Sequence, residues 1–401
     1  MLEQTMSNVK VVEGSEAVAL AVKGCRPQVI SAYPISPQTH IVEWLARMIA
    51  NGEMDTEYVR VESEFSAASV ISGSSAAGSR SYTASSSQGL LLMTEVLYCS
   101  AGMRLPFVIT GVNRALSAPI TIQIDHQDTV SLRDSGVIQF YVESSQEVYD
   151  THIAAFKIAE DPQILLPVMV CMDGWILTHS YERVNFIGQK KIDSFLPPFR
   201  PANFLDVNNP KAWGSYSEEN VLMEFKYSVQ QAMQYGKKRI PEIFAELARI
   251  TGRDHGGLIE AYCTEDADVI LVAMGSVVGT IKEAVDELRS IGKKVGLVKI
   301  RCYRPFPHED IWEAIKAAKV VAVMDANFSM GSEGALGMDL KSKLCGMRDA
   351  PLVFDFIAGL GGREINVKTV RRIVEKAEEM LNKGIPLSES YWVDLNPEIL
   401  P

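Results

Sequence analysis

Residues 28–46 read QVISAYPISPQTHIVEWLA. An apolar run stops at Tyr33, two prolines bracket a lone hydroxyl at Ser36, and an amphipathic helix starts at once. Ile41, Trp44, Leu45, Met48 and Ile49 share one face of it, with Thr39 placed to cap its start. A buried strand, a stiff loop and a helix in direct succession make the repeating unit of a parallel sheet covered by helices. The alternation continues through EYVRV, EFSAASVISGSSAAG, RSYTA, QGLLLMTEVLYCSAG, PFVITGV, SQEVYDTHIAAFKIAED and LLPVMVCMDG. It fails over 181–255, where Pro197, Pro198, Pro201 and Pro210 mark a connector and 218–250 reads as a helix. It resumes from DVILVAMGS to LVFDFIAGLGG, with Val278, Ile281, Val285 and Leu288 as an inward stripe. A helix over 367–381 follows, and SESYWVDLNPEILP reads as loop. The expected architecture is α/β, with two doubly wound, mostly parallel-sheet domains. They cover 1–180 and 256–385, a Pro-rich connector and helix fill 181–255, and a tail occupies 386–401.

The chain has 401 residues, enough for two cores, and 22% are charged, as in ordinary globular domains. A net charge of −11 argues against a nucleic-acid binder and suits a cytoplasmic protein. The first residues, MLEQTMSNVKVVEG, lack the apolar core of a signal peptide, and no apolar run is long enough to span a membrane. Six cysteines are spread so widely that no two lie closer than 39 residues (Cys263 and Cys302), which offers no spacing for a zinc knot or an iron–sulfur cluster. No residue set reads as a metal site.

In parallel sheets ligands gather at the carboxyl ends of the strands. Four such loops carry polar groups: Ser36 in YPISP, Glu64 in VESEFSAAS, Ser85 to Gln88 in TASSSQG, and Arg114 in GVNRALSAPITIQIDHQD. The prolines fix Ser36 and lower the entropy lost when its hydroxyl binds a ligand, although a plain rigid turn explains them as well. Glu64 opens a helix of small residues that lets a backbone or a flat ligand approach. It reads either as a helix-start carboxylate favoured by the dipole or as a buried proton-sharing acid. Arg114 suits two-pronged binding of a carboxylate, or an ion pair with Asp125 or Asp128. The DHQD run around His126 reads as a structural hydrogen-bond network. AMGSVVGT, with Gly275 and Gly279, lacks the signatures of a phosphate loop, and like AGLGG it marks a tight turn.

Taken in order, GSEAVALAVK, YPISPQT, VESEFSAASVISGSSAAG, TASSSQGLLLMTEVLY, AGMRLPFVITGVNRALSAP, DHQD, RDSG and LLPVMVCMDGWILTH resemble the α subunit of the thiamine diphosphate-dependent 2-oxoacid:ferredoxin oxidoreductases, pyruvate:ferredoxin oxidoreductase being the nearest type. The resemblance covers about 10–185 and, less specifically, about 255–365. It implies a pyrimidine-binding domain for thiamine diphosphate followed by a domain like the C-terminal one of transketolases. It also implies that Glu64 contacts the aminopyrimidine ring nitrogen and favours the imino tautomer that starts catalysis. Ser36 and Arg114 then bind the substrate's carboxyl and carbonyl oxygens, and Pro34, Ile35, Ser87 and Gln88 lie against the cofactor. The family's Gly-Asp-Gly motif for Mg²⁺ and diphosphate is absent. The resemblance therefore implies a shared cofactor, with Mg²⁺ and [4Fe-4S] clusters on β-, γ- and δ-type partner subunits. The implied reaction is oxidative decarboxylation of a 2-oxoacid to acyl-CoA, with coenzyme A as acyl acceptor and ferredoxin or a similar carrier as electron acceptor. Family loops commonly carry threonine where Ser36 stands, and relatives acting on oxalate carry arginine. Pyruvate is the expected substrate. The alternatives are phenylglyoxylate or a branched-chain 2-oxoacid, or a non-catalytic scaffold subunit. A dinucleotide-binding flavoprotein-like subunit would need a glycine fingerprint that the chain lacks.

Overall fold

Strands whose every residue is buried need helices on both faces, and the chain supplies them in alternation. A computed structural model describes residues 8–384 and 389–400. Residues 1–7, part of the N-terminus that reads as lacking a signal peptide, lie outside the described residues, as do 385–388 and 401 of the tail region. The first half runs β1 (Val9–Glu13), α1 (Gly14–Cys25), β2 (Val29–Ala32), α2 (Thr39–Ala50), β3 (Glu57–Arg60), α3 (Glu64–Ala76) and β4 (Ser81–Ser86). It continues through α4 (Ser87–Leu92), α5 (Thr94–Gly102), β5 (Val108–Asn113), α6 (Gln127–Val130), β6 (Ile138–Tyr141), α7 (Ser145–Glu160) and β7 (Val168–Asp173). The middle holds β8 (Tyr181–Asn185), α8 (Gln189–Phe195) and the 30-residue α9 (Leu222–Thr251). The second half runs β9 (Ile259–Tyr262), β10 (Val269–Ala273), α10 (Val277–Ser290), β11 (Val295–Ile300), β12 (Cys302–Arg304) and α11 (His308–Ile315). β13 (Val320–Asp325), α12 (Ala335–Leu344), β14 (Leu352–Ile357), α13 (Val367–Lys383) and β15 (Tyr391–Trp392) complete it.

Two mainly parallel sheets result. The first has the order β12-β6-β7-β5-β4-β2-β3, with β12 alone antiparallel; the second has the order β15-β14-β13-β10-β11-β9, with β9 alone antiparallel. The pattern of alternating elements thus gives the expected α/β class. Three features depart from the local reading. β12 comes from the second half yet completes the edge of the first sheet, its Cys302 opposite Phe140. β1 and β8 form an antiparallel pair outside both sheets, and part of the loop-like tail adds β15 in parallel to β14. The helix expected over QGLLLMTEVLYCSAG is broken at Met93 into α4 and α5. Thr39 is not the cap of α2: that position belongs to Gln38, whose side chain turns inward to donate to the Ala84 carbonyl at 2.8 Å.

The sheets share one apolar interior. Ile109, Tyr141 and Met169 of the first sheet belong to the same buried cluster as Ile270, Val272, Val298 and Val321 of the second. Beside it runs a charged seam. Glu147, in the first turn of α7, receives Lys299 at 2.7 Å and Arg301 at 2.6 Å, all three almost fully buried. Burial alone would raise the Glu147 pKa, but the two cations outweigh it and hold the carboxyl far below its ordinary range. Replacing Glu147 with Gln removes the buried anion that both cations share, leaving Lys299 to Glu143 (2.8 Å) and Arg301 to the more distant Glu260 (3.5 Å), and should cost about 3 kcal/mol in denaturant unfolding. Because the folded pKa is depressed, the seam's contribution is complete above about pH 4.3 and is lost as pH falls toward the folded value. The variant should lose that acid-side slope.

Candidate functional site

The carboxyl ends of β2, β3, β4 and β5 converge, and their loops bring the candidate residues together. After β2, residues 33–38 turn back on themselves, with the Gln38 amide donating to the Ile35 carbonyl at 2.8 Å. Pro34 and Ser36 are exposed there, and Ile35 is half-buried. Arg114, after β5, reaches this loop: Nη1 donates to the Ser36 carbonyl at 2.9 Å and Nε to the Thr121 carbonyl at 2.8 Å. The guanidinium has no carboxylate partner among the described residues, so neither expected ion pair, with Asp125 or with Asp128, forms. Nη2 has no hydrogen-bond partner among the described residues and is available to an incoming anion.

Asp128 takes a different role. Its buried carboxylate accepts the main-chain N–H of Ser87 (2.9 Å) and Arg114 (3.0 Å) on Oδ2, and Asn113 Nδ2 (3.0 Å) and the Thr129 N–H (2.7 Å) on Oδ1. One side chain thereby fastens the tips of β4 and β5. Asp125 instead caps the Gln127 amide at 3.0 Å. His126 lies 2.9 Å from Asp173, and Asp173 also accepts the Ser276 amide at 2.7 Å. The DHQD run is therefore a hydrogen-bonded network, and it links the two halves at their carboxyl edges. Gly275 turns there with φ +80°; a Cβ would stand 2.8 Å from Asp173 and 2.9 Å from His126.

Glu64 opens α3, whose N-terminus is capped by Ser63 accepting the Ser66 amide at 3.2 Å. Glu64 is only 7% exposed, and its carboxylate has no hydrogen-bond or ion-pair partner among the described residues. It faces α4 at Gly89, where a Cβ would come within 2.6 Å of Glu64 Oε1 and 2.5 Å of Ser85 Oγ. The buried hydroxyls of Ser85 and Ser86 have no partner among the described residues either. Ser87, at φ 51°, donates its hydroxyl to the Ala115 carbonyl at 2.7 Å, and the half-buried Gln88 donates to Ser117. The reading of the loops missed Gly89 and the bridging role of Asp128. A glycine inside the first turn of a helix was the only local signal for the former.

The Glu64 carboxyl is thus buried without a donor among the described residues, and α4 packs on it so closely at Gly89 that even a methyl group there would collide with it. Comparison with known proteins shows the family. Residues 20–245 match the family described as pyruvate flavodoxin/ferredoxin oxidoreductase, thiamine diphosphate-binding, and residues 267–370 match pyruvate:ferredoxin oxidoreductase core domain II. The chain is 48% identical to the pyruvate synthase subunit PorA of Methanosarcina barkeri, over 97% of each chain. It is 44% identical to the ketoisovalerate oxidoreductase subunit VorA of Pyrococcus horikoshii, over 96% of this chain and 98% of that one. The structure of 2-oxoglutarate:ferredoxin oxidoreductase from Magnetococcus marinus superposes with a TM-score of 0.71 at 20% identity, over 94% of this chain and 66% of that one. A split-gene transketolase gives 0.55 at 14% identity, over 92% and 98%. The chain belongs to the pyruvate:ferredoxin oxidoreductase family, a class of thiamine diphosphate-binding oxidoreductases. Within it, the chain is an α subunit of the PorA type. Among the described residues, no helix is long and apolar enough to cross a membrane.

Burial pushes the Asp128 carboxyl up to about 7. Its unfolded value is near 3.9, so the fold takes up a proton between those limits and this group's contribution to stability falls as pH rises from about 4 to about 7. Asp128→Asn should abolish that slope. It should also cost about 2–4 kcal/mol in denaturant unfolding, because the amide NH₂ would face two N–H groups that now have an acceptor.

Proposed function

We propose that this chain supplies the proton-handling acid and the substrate clamp of a thiamine diphosphate site shared with a partner subunit, in a complex that oxidises pyruvate. The observation that carries this reading is the buried Glu64 carboxylate against Gly89, without a partner among the described residues, on the same sheet edge as the Ser36–Arg114 contact. When bound, thiamine diphosphate supplies the nucleophilic carbon and the electron sink for decarboxylating a 2-oxoacid. Glu64 holds or gives the proton at a ring nitrogen, and Pro34, Ile35, Ser87 and Gln88 line the ring. Arg114 presents Nη2 to the substrate carboxylate, while its other nitrogens keep the guanidinium oriented through the Ser36 and Thr121 carbonyls. The Ser36 hydroxyl, on an exposed turn, binds the substrate's oxygens.

The domain roles belong to the same reading: 1–180 as the pyrimidine side, 181–255 as connector, 256–385 as the transketolase-like domain. So does the division of labour, with Mg²⁺ and [4Fe-4S] clusters on β-, γ- and δ-type subunits, coenzyme A as acyl acceptor and ferredoxin as electron acceptor. The six cysteines are free thiols spread through the described residues, which supports a reducing, cytoplasmic setting. The 44% identity to the ketoisovalerate enzyme's subunit makes a branched 2-oxoacid the second reading.

The test is to assay the assembled complex against a panel of 2-oxoacids with a redox dye. Pyruvate should give the highest kcat/KM; a preference for 2-ketoisovalerate would select the second reading. Glu64→Gln should leave the complex assembled but nearly inactive, and wild-type turnover would remove Glu64 from the mechanism. Arg114→Ala should weaken substrate interaction by about 2–5 kcal/mol, seen as a raised KM.

A further inference from the structure

A second cluster of reactive side chains includes neither Glu64 nor Arg114. It joins Glu13 at the end of β1, His40 in the first turn of α2 and His179 in the loop after β7. One donor atom from each lies within 4.8 Å of the other two. His40 Nδ1 is 2.7 Å from Glu13 Oε1. The imidazoles of His40 and His179 face each other with centroids 4.5 Å apart, and Trp175 backs His179 at 4.2 Å.

The juxtaposition is built in by the backbone. The Gly14 amide donates to the Ser180 carbonyl at 3.1 Å, and Ser15 donates to the Thr178 carbonyl through its amide (3.2 Å) and its hydroxyl (2.9 Å). A Cβ at Gly14 would lie 1.9 Å from the Leu177 carbonyl oxygen, so only glycine lets the start of α1 dock on this loop. Glu13 and His179 are therefore neighbours by construction. Thr178 Oγ1 accepts the Trp175 amide at 2.8 Å and stands 2.6 Å from His179 Nδ1. That contact orients the His179 ring through Nδ1 and leaves Nε2 as the ligating atom, the arrangement found around metal-bound histidines. The Glu13 side chain is 8% exposed and that of His40 is 43% exposed, so the carboxylate is sheltered while one face opens to solvent.

We propose that Glu13, His40 and His179 form a binding site for a divalent transition metal of the Zn²⁺ class, with water in the remaining position. Two imidazoles and a carboxylate are a ligand set that Zn²⁺ takes readily, and they offer one negative charge to the cation. Bonds of about 2.0–2.2 Å place the ligand atoms roughly 3.4 Å from one another, so the Glu13–His40 pair, now at 2.7 Å, opens while the wider separations close. The half-exposed His40 is the member with room to swing. On binding, its proton moves from Nδ1 to Nε2, so Glu13 exchanges an N–H for the metal and no net proton is released. His40 follows Ser36 by four residues, so an ion here would pin the start of α2, and with it the YPISP loop, to the loop after β7.

The test equilibrates the assembled complex with buffered micromolar Zn²⁺, removes free metal, and counts zinc by mass spectrometry. Crystals of the same sample give anomalous difference maps at the zinc edge. One zinc per copy of this chain should be present in the wild type, with an anomalous peak among the three side chains. That zinc and its peak should be lost in His40→Ala and His179→Ala. Should either alanine variant fail to assemble, the near-isosteric Glu13→Gln must lose the same zinc. Equal zinc content in the wild type and the variants, or a peak elsewhere only, would reduce the cluster to a hydrogen-bonded pair and overturn the proposal.

Discussion

The side chain of Asp128 accepts the main-chain amides of Ser87 and Arg114, the residues at which the chain leaves β4 and β5. Adjacent parallel strands diverge at their carboxyl ends, and unpaired amides there would each need water or a ligand. A buried carboxylate satisfies two of them at once and sets the distance between the loops. Through Ser87 it fixes the start of α4, where Gly89 faces Glu64; through Arg114 it fixes the guanidinium that reaches Ser36. Residues from four separate loops are therefore oriented by contacts that meet at one buried group. That group is kept in place by Asn113 and Thr129 on its other oxygen.

The second half of the chain supports this edge from below and from the side. Its sheet shares apolar packing with the first, and the seam of Glu147 with Lys299 and Arg301 fixes the register between α7 and β11. Near the rim, His126 and Asp173 from the first half meet Ser276 and the Gly275 turn from the second. A desolvated ion pair adds little net stability compared with apolar packing, but leaving one member unpaired is costly. Such a seam therefore discourages alternative docking of the two halves more than it strengthens the correct one.

Much of this was legible in the residues. Strand–loop–helix periodicity delivers the α/β class, because buried parallel strands must be continuous apolar runs and their covering helices must be amphipathic. The four polar loops were also readable, since polar groups at the carboxyl ends of such strands have few structural reasons to be there. The rest depended on partners distant in sequence. Cys302–Arg304 is too short to show a period, and nothing local says that it pairs with Phe140. Tyr391–Trp392 reads as tail until β14 is present to receive it. The acids near Arg114 suggest an ion pair on charge alone, whereas the geometry gives Asp128 to backbone amides, which carry no sequence signal. Thr39 looks like a cap, yet Gln38 occupies that position because its amide has a carbonyl to reach on the neighbouring strand.

The edge strand contributed by Cys302–Arg304 has a bearing on biosynthesis. A ribosome delivers β6 some 160 residues before the segment that will cover its free edge. Until then the nascent first sheet exposes an unpaired strand to other chains, and such edges invite intermolecular pairing. The first half thus cannot reach its finished state as an autonomous unit during translation. Its maturation awaits the second, which makes the interval between the two the stage at which chaperone cover matters most for this chain.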